Sequence, residues 1–341
     1  MKILLIANSH GLDATTLLHK VFKAEMPEQK LVIGALYQSG CPIGRHAEYI
    51  RDNEAAYIYF KCGDYEGALP DSLWTASYDE GTKEGFLATV EYALKDEQWD
   101  LVVMQQMNRQ SGVQIEKLAE RSEDERVFWT PFVAADFKTI IDLVNKNVTP
   151  KPKFAWHMTW ANPDGKEYLA GEGSDPRLSL NVGWGVDHKW LFPGEDGEFN
   201  SRVMYDAVLA NVKKYLLQPS DFPYAGFFDM IFPSATTIQY AADAQGLTQA
   251  QIYRDYTHLS DYSRLMVSYL WYVMLREMIT GEEIALSEIK LTKIPNNLHT
   301  AKKSKYPPVN ADGDFDITEE MKQKILEAVN WTLENPYTLP C

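Results

Sequence analysis

Cysteine is scarce in this chain. The three present, Cys41, Cys62 and Cys341, are odd in number, far apart and without a Cys-x-x-Cys step, so neither a disulfide framework nor a zinc site is implied. Basic residues are also in short supply: 33 Lys+Arg face 48 Asp+Glu, a net charge of −15. A phosphate backbone repels such a surface unless a basic stripe reverses it locally. The nearest candidate, Lys302-Lys303-Ser304-Lys305, is short and sits in a Pro/Asn-rich stretch, so it reads as a solvated loop and no nucleic-acid partner is expected. Long apolar runs are missing as well. The most apolar window, residues 265–275, is about half the length needed to cross a bilayer. It is closed by Arg264, Arg276 and Glu277 and reads as a core helix, so no membrane partner is expected either. Residues 1–7 are too short for a secretory signal and lead directly into patterned sequence, which points to the cytoplasm, with a mature exported domain as the alternative. Gly-x-Ser-x-Gly, the phosphate-binding Gly-x-x-x-x-Gly-Lys-Ser/Thr loop and His-Glu-x-x-His are all absent, against the enzyme classes that depend on them.

What is present is the composition of an ordinary globule: 341 residues, 45% hydrophobic, 24% charged and 12% aromatic, enough to build a sizeable core. Residues 2–7 form a short continuous apolar run, as expected of a strand covered on both faces, and residues 13–24 follow with helical spacing through Leu17, Leu18, Val21 and Phe22. Apolar runs at 31–36, 101–104, 154–158 and 227–232 then alternate with helical patterns near 84–93, 133–144, 201–217 and 234–244. Such alternation predicts an α/β fold, a three-layer α/β/α arrangement around a central parallel sheet. Two late helices follow, one starting after Ser260-Asp261 and ending at Gly281, the other running from Ile317-Thr318-Glu319-Glu320 to about Leu333. Residues 161–200 read as a loop insertion and 283–341 as a wrapping, partly helical tail. With no internal repeat and no Gly/Ser or Pro-rich linker, residues 1–341 are expected to form one elaborated domain.

In open α/β sheets the ligand sits beyond the carboxyl ends of the strands, so the residues after each apolar run carry the most information. These are Asn8-Ser9-His10-Gly11, Gln38-Ser39-Gly40-Cys41-Pro42, Gln105-Gln106-Met107-Asn108, Thr159-Trp160 and the late Asp255-Tyr256-Thr257-His258. Singly each has an ordinary explanation: a turn serine, a positive-φ glycine, surface amides, a solvated acid–histidine pair. Together they supply every part of a serine ester hydrolase. Ser9 is the nucleophile, with its own N–H as an oxyanion donor at a helix start. Gly40 offers a second N–H, and the Gln105 amide a third. Asp255, three residues before His258, can orient that imidazole as the general base. Asn8, His10, Gln106, Asn108 and Trp160 lie beside these positions and are the expected substrate contacts. His157 reads as a core histidine, and a Cys41–His46 nucleophile pair ranks well below Ser9.

At these residues the chain resembles the SGNH (GDSL-like) hydrolase superfamily, and within it the DUF4886-like group, whose first block is Ile-Gly-Asn-Ser-Phe. Here that block reads Ile6-Ala7-Asn8-Ser9-His10, followed by Asp13-Ala14. Gly40 in Ser39-Gly40-Cys41 corresponds to the second-block glycine. Trp99-Asp100, a strand and then Gln105-Gln106 match the third, where better-known members carry Gly-x-Asn-Asp. His157-Met158-Thr159-Trp160, Ile231-Phe232-Pro233-Ser234 and Asp255-Tyr256-Thr257-His258 continue the pattern in order. The resemblance implies acyl transfer through a Ser9 acyl-enzyme, with no metal and no organic cofactor. The departure from Gly-x-Asn-Asp leaves Gln105, Gln106 and Asn108 as candidates for the third donor, with Gln105 favoured.

Trp156, Trp160, Trp184 and Trp190 fall in or beside the loops and serve either as platforms for sugar rings or as core. An acylated carbohydrate or another small ester is the expected substrate, and the −15 charge favours a neutral one. The rival reading is a catalytically silent carbohydrate-binding protein that keeps the same fold. A phosphoesterase or flavodoxin-like binder comes third.

Overall fold

The structure is a computed structural model that describes residues 1–64, 87–164, 189–217, 221–254, 257–282, 285–294 and 315–340. Its centre is a seven-stranded sheet of β1 (Lys2–Ala7), β2 (Val32–Tyr37), β3 (Tyr57–Gly63), β4 (Leu87–Ala88), β5 (Leu101–Gln105), β6 (Lys153–His157) and β7 (Met230–Phe232), in the order β4-β3-β2-β1-β5-β6-β7. The five strands β2-β1-β5-β6-β7 are parallel, whereas β3 runs antiparallel to β2 and β4 antiparallel to β3. In β1 and β5 nearly every side chain is buried, as the continuous apolar runs required of strands covered on both faces.

Helices supply those covers. On one side pack α1 (Ser9–Thr15), α2 (Leu18–Glu25), α9 (Ser234–Asp243), α11 (Asp261–Thr280) and α12 (Glu319–Glu334); a second set joins α3 (Ile43–Arg51) and α4 (Val90–Asp96) to α7 (Ala134–Asn147). The short helices α5 (Asn108–Ser111), α6 (Glu123–Trp129) and α10 (Gln249–Ile252) lie in connections, and α8 (Ser201–Val212) packs on α5 and α9. A separate antiparallel pair, β8 (Lys293–Ile294) and β9 (Phe315–Asp316), lies in the tail. This is the expected three-layer α/β/α fold. The window at 265–275 lies inside α11 and is buried along most of its length. Among the described residues no helix is long and apolar enough to cross a membrane.

Several elements depart from the sequence reading. The single helix expected over 13–24 is two: Thr15 and Thr16 donate their hydroxyls to Gly11 O and Leu12 O, back-bonding of a kind that bends helices, and the chain restarts at Leu18. The helix expected near 84–93 begins only at Val90, capped by Thr89, after the short β4. Expected strand 227–232 contracts to β7. The antiparallel β3 and the helices α3, α6 and α10 were absent from the reading. The aromatic run Tyr57-Ile58-Tyr59-Phe60 is the signal that marks β3. In the expected insertion, residues 165–188 lie outside the described residues, as do 295–314 of the tail.

Candidate active site

Because β1, β2, β5 and β6 are parallel, their carboxyl ends share one edge, and the pairings Ala7↔Tyr37 and Gln105↔His157 bring the loops after them together there. Asn8 is extended and caps α1, its Oδ1 accepting the His10 N–H at 3.0 Å; Gly11 and Leu12 bond to its carbonyl. Ser9 is thereby fixed as the first residue of α1, only 8% exposed. Asn8 Nδ2 donates to Cys41 O at 3.1 Å, tying the Ser9 turn to the Gly40 turn. Gly40 has φ +58, and a Cβ built there would meet nothing within 4 Å, so its backbone faces open space.

Gln105 sits beneath Asn8. Its Nε2 donates to Asn8 Oδ1 at 2.5 Å, and its Oε1 faces His157 Nδ1 at 3.1 Å. Asn8 Oδ1 already receives a backbone N–H, so it is an acceptor, and the facing nitrogens carry protons; the same logic protonates His10 Nδ1, 3.2 Å from that oxygen. Burial holds His157 neutral, its pKa pushed down to about 3, so it acts as a fixed donor to Gln105. Gly11 makes the arrangement possible: a Cβ there would stand 2.6 Å from Ala7 Cβ and 2.8 Å from Gln105 Oε1. The Gln105 amide expected to serve an oxyanion is thus directed at Asn8. The other two amides are engaged as well. Gln106 accepts from Ile43 N and Met107 N and donates to Pro131 O, and Asn108 donates to Asn162 Oδ1 and Thr257 Oγ1.

His258 arrives from the far end of the sequence. Its ring stacks 5.8 Å from that of His10, the residue after Ser9, and both its neighbours in the chain are pinned. Thr257 O accepts Trp160 Nε1 at 2.9 Å, and Leu259 N donates to Asp13 Oδ2 at 2.9 Å. Asp13 is wholly buried. Burial alone raises its pKa, but the guanidiniums of Arg254 and Arg264 and the nearby His258 outweigh that and hold the carboxyl well below the usual range. Asp255, the expected orienting acid, lies outside the described residues.

For two tryptophans the core reading holds, and Trp160 is corrected as an expected substrate contact. Trp160 is 0% exposed and Trp156 1%, so both are core and neither offers a face to a sugar; Trp160 holds Thr257 and packs on His10 at 5.0 Å instead. Trp190 is half-buried with the Arg121 guanidinium 3.7 Å over its ring, and Trp184 lies outside the described residues. His10 is likewise enclosed, its Nε2 3.0 Å from Thr257 Oγ1. Cys41 and His46 do not form a pair: burial pushes the thiol up to about 12, and His46, held at about 3, bonds Tyr57 OH at 2.8 Å. Among the described residues no group of three or more His, Cys, Asp or Glu side chains is arranged to hold a metal ion. Sequence reasoning missed Asp13 as a participant; the signal available was its place one turn after Ser9, on the same face of the helix.

The class defined by this fold is an open, mainly parallel α/β/α sheet with its polar constellation on the carboxyl edge of β1, β2, β5 and β6. Residues 2–168 match the model of the family described as "Domain of unknown function (DUF4886)". A DUF4886 family protein from Bacteroides uniformis has a similar structure, with TM-score 0.56 and 20% identity over 99% of this chain and 96% of that one, a likeness of fold. A protein from Slackia heliotrinireducens described as "a putative SGNH hydrolase" matches at TM-score 0.36 and 15% identity over 80% of this chain and 97% of its own. No curated protein matches this chain.

Proposed function

We propose that this protein is a serine ester hydrolase acting through a Ser9 acyl-enzyme. The observation that carries the reading is the meeting, on one sheet edge, of the Ser9 turn, the open Gly40 turn and His258, whose ring lies 5.8 Å from the ring of Ser9's neighbour His10. In this reading His258 takes the Ser9 Oγ proton as the oxygen attacks the ester carbonyl, and the N–H groups of Ser9 and Gly40 stabilise the oxyanion. Collapse of the tetrahedral intermediate expels the alcohol, which receives the proton from His258. Water then repeats the attack on the acyl-enzyme and restores Ser9. Asp255 orients His258. Gln105 serves this machinery by holding Asn8, and so the spacing of the two backbone donors, while Asn8, Gln106 and Asn108 hold the loops.

The substrate class is a small neutral ester, in keeping with a net charge of −15. An acylated carbohydrate remains within that class. The test is hydrolysis of p-nitrophenyl acetate and butyrate by the purified chain, beside Ser9→Ala and His258→Ala, followed by a panel of acetylated sugars. Each substitution is expected to lower kcat by about 10³-fold or more. Equal rates in all three proteins would remove the esterase reading and favour a silent carbohydrate binder.

A further inference from the structure

Asp13 stands one turn after Ser9 on α1, four residues on, and so shares a face of the helix with it. Its Oδ1 accepts Arg254 Nη1 at 2.9 Å, Arg264 Nε at 3.0 Å and Arg264 Nη2 at 2.5 Å; its Oδ2 accepts Leu259 N. Arg254 closes the loop on itself, with its N–H on His258 O at 3.0 Å and its Nη1 on Leu259 O at 2.8 Å. Tyr253 and Leu259 are bridged across the same loop. Arg264 continues to Asp261 Oδ1 at 2.9 Å, so two carboxylates and two guanidiniums balance one another.

A buried ion cluster is weak evidence for stability, because well-packed apolar residues often serve as well or better. What this cluster provides is geometry. It fastens the loop bearing His258 to the short helix bearing Ser9. We propose that Asp13 is a positioning residue that fixes the His258 loop against Ser9 through Leu259 N–H and the Arg254 and Arg264 guanidiniums, without touching substrate. The proposal rests on the esterase reading for its kinetic consequence, but not for its structural one.

The full chain carrying Asp13→Asn provides the test, with circular dichroism and Tm establishing that it is folded. Hydrolysis of p-nitrophenyl acetate is expected to show kcat reduced roughly 10- to 100-fold with KM changed less than about threefold, the signature of a displaced reacting group. Labelling of Ser9 by a fluorophosphonate should slow in parallel. A folded D13N protein with unchanged kcat overturns the proposal, and so does a rise in KM alone. If D13N does not fold, Arg254→Lys is the deciding variant: it keeps a cation beside Asp13 while removing the bridge to Leu259 O, and the same fall in kcat is expected, an unchanged kcat overturning it. If the unaltered chain shows no Ser9-dependent hydrolysis, the esterase reading has failed and the imidazole NMR spectrum decides. His258 signals, assigned with His258→Gln, should shift or broaden in D13N while those of the distant His46 stay in place. Unmoved His258 signals overturn the positioning role.

Discussion

Two glycines on the candidate site edge are required for opposite reasons. Gly11 lies where α1 presses on β1, and an added Cβ would stand 2.6 Å from Ala7 Cβ. Gly40 has open space around it, but its φ of +58 is one that L residues adopt only at a cost of about 1–2 kcal/mol. Gly11→Ala is therefore expected to destabilise by about 2–3 kcal/mol through overpacking, read by urea denaturation. Gly40→Ala should cost less stability and more function, with p-nitrophenyl acetate turnover down roughly tenfold as its N–H is displaced. Equal stability losses in the two would contradict the packing argument. At this scale the sequence announced chemistry better than orientation. Ser9, Gly40 and His258 stand out as candidates because few residue types can attack, leave a backbone open or move protons near neutral pH. The direction of Gln105 was not legible, since Asn8 and His157 aim it from two other strand ends. Nor was the burial of Trp160, which depends on a hydrogen bond to a residue nearly a hundred positions away.

Among the elements, α11 was read most closely from sequence, because both its ends carry local signals. Ser260 Oγ accepts the Ser263 N–H at 3.2 Å, and Gly281 stops the helix with φ +74. Ser260 Oγ also donates to Gln251 O at 2.6 Å, so the cap holds α10 against α11 and stiffens the chain just after His258. Ser260→Ala is expected to cost about 1–2 kcal/mol, measurable as a lowered denaturation midpoint with unchanged far-ultraviolet dichroism. A loss within 0.5 kcal/mol of zero would mean that the cap is dispensable. Elements whose ends depend on tertiary contacts were read less well. The break between α1 and α2 comes from hydroxyl back-bonding inside an otherwise continuous helical pattern. The antiparallel β3 mixes buried and part-exposed side chains, alternating only from Tyr59 onward, on the flank of a parallel core, a different signature from the continuous apolar runs of its neighbours.

For the molecule as a whole, two buried histidines set how stability depends on pH. His46 and His157 are held neutral in the fold, at about 3, against an ordinary value near 6.5. The unfolded chain therefore binds protons first, and stability falls as pH drops through 6.5 toward 3. At pH 5.5 each histidine costs about 1 kcal/mol relative to neutrality. Asp13 acts in the same direction lower down: its contribution is complete above the ordinary carboxylate range and is lost as pH falls below it. Urea midpoints at pH 7.5 and 5.5 should differ accordingly, and His46→Gln should flatten the slope. A midpoint flat across that interval would show that neither imidazole is closed to protons.

The tie between Asp13 and its guanidiniums also imposes an order in time. The partners are 241 and 251 residues apart in the sequence. At a synthesis rate of roughly 5–20 residues per second, Asp13 leaves the ribosome about 12 to 50 s before Arg254 and Arg264 follow. With β1 already made, β2, β5 and β6 follow in that interval, while a carboxylate destined for the middle of their helical cover has no cation to meet it. The sheet can be drafted early, but the helix bearing Ser9 can settle only when residues 254–264 arrive.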